Sequence, residues 1–154
     1  MKDILLQIHS LVRWAVLFSL LYAIIMAGYG WLTKARFTKA HNVVRHSTAT
    51  ISHIQLLLGI LLYTQSPITT QFLEYYQFKE GWNEVIFFGC IHISLMIISI
   101  IIITLGSSLA KRKEDSKSKF RIIFIYFLIA LLIILMAIPW PFSPLADRPL
   151  IRTF

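Results

Sequence analysis

One cysteine, Cys90, stands in 154 residues, and acidic side chains number only seven. A lone cysteine excludes an internal disulfide and any CxxC redox or zinc motif. Charged residues are 14% of the chain against 57% hydrophobic, too few to clothe a soluble domain. No acid falls inside a long apolar run, so no carboxylate is placed to relay protons within the membrane. The chain also lacks a nucleophile motif and a nucleotide-binding loop, and carries no hydrolase or transferase signature.

What the chain has is long hydrophobic runs. Four of them, at residues 4–28, 47–64, 85–106 and 120–140, each approach the roughly 20 residues that cross a bilayer as helix. The sequence therefore predicts an all-α membrane protein: one four-helix domain, up-down-up-down, over residues 1–154. Gly28 and Gly30 are expected to end the first span, Ser66 and Pro67 the second, Gly106 the third, Pro139 and Pro141 the fourth. Trp14, Trp31, Trp82 and Trp140 fit the interfacial belt, and residues 139–144 read as an extended outer segment. The first run is too long and too charged, with Asp3 and Arg13, for a cleaved signal peptide.

Basic residues cluster between spans 1 and 2 (Lys34, Arg36, Lys39, Arg45) and between spans 3 and 4 (Lys111, Arg112, Lys113, Lys117, Lys119, Arg121), whereas Glu74, Glu80 and Glu84 crowd the loop between spans 2 and 3. By the positive-inside rule the two basic loops are cytoplasmic and both termini lie outside. The net charge of +8 is thus a topology signal, and no nucleic-acid partner is expected.

Polar groups single out spans 1 to 3. His9, Arg13, His53, Gln55 and His92 are costly in hydrocarbon and belong in a bundle interior or wet cavity. Each histidine could serve an interhelical hydrogen bond. Depth favours a ligand pair instead. At 1.5 Å per residue, His9 lies roughly 8 Å and His92 roughly 10 Å below the outer ends of their spans, and His53 roughly 16 Å. Spans 1 and 3 are diagonal in a simple bundle, leaving room for a flat macrocycle held by one imidazole from each side. His9 and His92 are accordingly the expected iron ligands of a haem b. Helix tilts of about 20° leave His53 with His92 as the other possible pair. Arg13, one turn from His9, suits a propionate or another anion, and Met96 shares a face with His92. Span 4, from Ile122 to Ile138, has Tyr126 as its only polar side chain and is expected to face lipid on much of its circumference. Span 2 carries two polar faces: His46, Thr50 and His53 on one, Thr48, Ser52, Gln55 and Gly59 on the other.

The segments Ile8-His9-Ser10-Leu11-Val12-Arg13-Trp14, the run from His53 to Tyr63, and Ile138-Pro139-Trp140-Pro141-Phe142 resemble a group of small four-span, cytochrome b-like proteins of Bacteroidota. A weaker resemblance links the layout to one half of haem A synthase, whose ligand histidines flank a Gln-x-x-x-Gly segment. The resemblance implies His9 and His92 as ligands, with Gln55 and Gly59 between them. Gln7 stands near His9 where such synthases carry an acid, which argues against haem-modifying chemistry. The expected function is haem b binding and electron transfer in the bacterial inner membrane, beside quinone or respiratory subunits. The contrasting expectation is a haem-free accessory subunit of a larger membrane complex or oligomer. Transport is the least supported, because four spans lack paired, interrupted helices.

Overall fold

The computed structural model describes residues 2–75, 83–143, 146, 148 and 149. Trp82 and Pro144 lie outside the described residues, as do Lys79 and Glu80. Five helices follow in order: α1 (Lys2–Leu32), α2 (Lys39–Gln65), the short α3 (Pro67–Tyr75), α4 (Glu84–Arg112) and α5 (Ser116–Ala137). There is no strand among the described residues. All but α3 are long and apolar enough to cross a membrane, so the chain is a multi-pass membrane protein.

α1 packs on α2 and α5, and α4 packs on the same two helices, so α1 and α4 stand diagonally opposite. Leu20, Ala23, Ala27, Ile103, Phe120, Phe127 and Ala130 are fully or almost fully buried where the helices meet. The seam between α2 and α4 is the loosest of the four.

Several boundary expectations are corrected. α1 runs through Gly28 and Gly30 to Leu32, because these glycines are places of contact rather than breaks. A Cβ on Gly30 would lie 2.5 Å from the Phe120 ring. Likewise α4 continues six residues past Gly106, whose missing side chain admits Tyr126, where a Cβ would come within 2.4 Å. Span 4 keeps Ile129, Leu132, Leu135 and Met136 exposed on its lipid side and packs the other side inward. Phe120, Ile123, Phe127, Ala130, Ile134 and Ala137 recur every three or four residues as a buried spine, and 39% of its apolar stretch is buried, as in α1.

Arg45 is not a loop residue. α2 begins at Lys39, and Arg45 is 5% exposed within it. Its Nε and Nη2 donate to Asn42 Oδ1 at 3.2 and 2.9 Å, while Nη1 donates to the Ser107 carbonyl at 2.9 Å and to the Ser107 hydroxyl. A guanidinium has five donors, and these neutral acceptors engage every nitrogen of the group. The remaining ends are orderly: the Thr38 hydroxyl and His41 Nδ1 close a capping box on α2, and Asp115 accepts from Ser118 N at 2.7 Å to start α5.

Candidate functional site

The start of α1, the end of α2, the start of α4 and the end of α5 converge on one cavity of about 280 Å³, roofed by the first turn of α3 and by Arg148 and Pro149. Most of its wall is aliphatic. The polar groups on it include His9, Arg13, Gln55, Tyr63 and His92. The volume sits just below the roughly 300 Å³ at which ordinary small-molecule sites begin.

His92 enters the cavity from a helix with a local irregularity. Phe87–Ile91 form a π turn, in which the His92 amide reaches back five residues to the Phe87 carbonyl. The loosened turn is tied from two sides. Tyr63 Oη donates to the Gly89 carbonyl at 2.8 Å, and Gly89 has no Cβ because Phe72 of α3 occupies that space, 2.2 Å from where one would stand.

The His92 ring is then fixed from α5. In a helix the amide of residue i+4 bonds the carbonyl of residue i, and proline has no such amide. Pro139 therefore strands the Leu135 carbonyl, and the end of α5 at Ala137 leaves the carbonyl of Ala137 without an amide. Each is satisfied by a side chain: Trp140 Nε1 donates to Leu135 O at 2.8 Å, and His92 Nδ1 donates to Ala137 O at 2.8 Å. A carbonyl cannot donate, so the His92 proton is on Nδ1 and the Nε2 lone pair is free for a metal.

His9 is held differently. Gln55 Nε2 donates to the His9 carbonyl at 2.9 Å and stands 3.3 Å from His9 Nε2. One turn along α2, Gly59 receives the ring, and a Cβ there would lie 3.3 Å from His9 Cε1. His9 Nδ1 and Gln55 Oε1 are buried with no hydrogen-bond partner among the described residues. Gln55 and Gly59 thus act as one unit on His9, a role that spacing alone left as helix packing. The Arg13 guanidinium shares the cavity wall and lies 5.7 Å from the Trp14 ring centroid. Met96 lines the cavity below His92.

His53 is not brought to this site. It lies on the exposed side of α2, where its Nε2 meets Thr104 Oγ1 at 3.0 Å. The inward face of α2 is the other polar one, with Thr48 and Ser52 buried and Gln55 and Gly59 on the cavity. Of the six expected binding residues, His9, His92, Arg13, Gln55 and Met96 converge, and His53 stands apart.

Sequence reasoning missed Tyr63 and Arg148. Arg148 pairs with Glu84 and lies 5.0 Å over the Phe88 ring, whose centroid is 6.0 Å from that of His92. Nothing in local spacing points to a tail arginine as a lining residue. Among the described residues no group of three or more His, Cys, Asp or Glu side chains could hold a metal ion. An iron already held by a macrocycle needs only two protein ligands. No family model, curated protein or solved structure matches the chain.

Proposed function

We propose that this protein binds haem b between His9 and His92 and carries electrons in the bacterial inner membrane, exchanging them with quinone or with respiratory subunits. The observation that carries this reading is the pair itself. Two imidazoles from helices that stand diagonally apart line one largely aliphatic cavity, and His92 is locked in the tautomer that offers Nε2. Bound there, haem supplies one-electron chemistry. The chain's own residues do the rest: His9 and His92 bind, Gln55, Gly59 and the Ala137 carbonyl orient them, aliphatic walls exclude water, and Arg13 balances a propionate.

The donor set fits the group, while the small cavity requires α1 and α4 to part on loading. Convergence of chain starts and ends at the cavity supports the up-down-up-down reading, and the basic loops support both termini outside. A visible spectrum of purified, dithionite-reduced protein tests the proposal. Low-spin b-type bands are expected, lost in His9→Ala and in His92→Ala. Absence of such bands after incubation with hemin overturns it. The haem-free accessory reading would then replace it.

A further inference from the structure

Membrane helices normally turn their polar side to protein and their apolar side to lipid. α2 obeys it inward, where Thr48 and Ser52 are buried, but departs from it outward, where polar side chains stand among exposed Ile54, Leu57 and Leu61. It is the least apolar of the four long helices, yet only 17% of its apolar stretch is buried, against 39% for α1 and α5 and 28% for α4. Its exposed side carries His46, Thr50 and His53, which lie within about 60° of one another at 100° per residue, with exposed Leu57 continuing the line. By helical rise His53 is near mid-membrane, where lipid offers no hydrogen bond.

The bonding around His53 defines what is missing. Thr104 Oγ1 donates its proton to the Ile100 carbonyl at 2.7 Å, so toward His53 it can only accept. The His53 proton is therefore on Nε2, and Nδ1 is an acceptor with no partner among the described residues. One turn away, the Thr50 hydroxyl is spent on its own helix, on the His46 carbonyl at 3.0 Å, a bond it can exchange for a better one.

We propose that this stripe is the interface with a second copy of the chain. Copies inserted the same way round relate by a two-fold axis along the membrane normal, which sets α2 beside α2 at equal depth. A two-fold contact is reciprocal: Thr50 of one copy donates to His53 of the other, and the second copy returns the bond. Charge permits it, since α2 carries no charged side chain from His46 to Gln65. The loose seam between α2 and α4 leaves the stripe open along its length.

The test uses the full chain in liposomes, with Cys90→Ser removing the only native thiol. Thr50→Cys, oxidised with copper phenanthroline, is expected to give a covalent dimer. Leu132→Cys, equally lipid-exposed on α5, is expected to give none. Equal crosslinking at both positions, or none at 50, overturns the proposal. So does a crosslink from position 50 in native membranes to a chain of different mass. His53→Leu should raise the dimer dissociation constant about tenfold, two interhelical hydrogen bonds of ordinary membrane strength. An unchanged constant overturns the Thr50–His53 pairing. None of these outcomes depends on haem.

Discussion

His92 Nδ1 donates to the Ala137 carbonyl across 2.8 Å, and that carbonyl is available because α5 ends there, Ile138 before Pro139 turning to an extended conformation. A cavity-lining side chain on α4 is thus oriented by the way α5 stops. Replacing Pro139 and Pro141 together by alanine lets α5 run on and return an amide to Ala137. The expected outcome is a mobile His92 ring. It is read as a shifted haem midpoint potential and, independently, as faster solvent exchange of the His92 ring proton by NMR. Pro139→Ala alone, which leaves residue 141 without an amide, should have the smaller effect.

Gly59→Ala presses a methyl to 3.3 Å from His9 Cε1, closer than the ring tolerates without shifting. The ring must give by a few tenths of an ångström toward the cavity. The expected outcome is a folded protein with reduced haem retention, measured by transfer to apomyoglobin. Gly59→Leu should abolish retention.

Gln55→Leu removes the donor on His9 while keeping the volume close. The loss is about 0.6 kcal/mol per interhelical bond in membranes. We expect a small fall in thermal stability and a change in the low-spin spectrum beyond it, recorded on the same sample. A spectrum identical to wild type would show that Gln55 only packs.

Asp115 lies outside the spans, and hydrogen bonds from Ser118 backbone and side chain hold its carboxyl below the ordinary carboxylate value. A carboxylate with a depressed folded pKa contributes stability above the unfolded value of about 3.9, and that contribution is lost as pH falls through the folded value. Protection of the amides of residues 116–119, taken relative to their intrinsic exchange rates, should therefore fall below pH ~4, by hydrogen exchange with mass spectrometry. Asp115→Ala should show the low protection at every pH.

Membrane topology follows from the loop charges. Cysteine at position 113 should resist an impermeant thiol reagent added to intact spheroplasts, while cysteine at the exposed Leu73 should label. The reverse pattern inverts the orientation.

The spans were legible because hydropathy over about 20 residues is a bulk property that no single contact overrides. Their ends were not, since Gly28, Gly30 and Gly106 look like breakers until the rings of Phe124, Phe120 and Tyr126 are seen beside them. Depth arithmetic brought His9 and His92 together, because helical rise is nearly invariant. Rotation about the helix axis decided His53, and sequence alone left two polar faces of α2 equivalent. Arg45 looked like a loop charge because the acceptors at Ser107 lie 62 residues away.

The diagonal placement of His9 and His92 also fixes an order of events during synthesis. α1 emerges first of the four long helices, but the carbonyl that orients His92 belongs to the last of them, 45 residues further on. At roughly 5–20 residues per second, seconds separate the insertion of His9 from the moment His92 has its anchor. The site is therefore a product of the finished bundle, and any cofactor it takes must be captured after translation rather than threaded in as the chain is made.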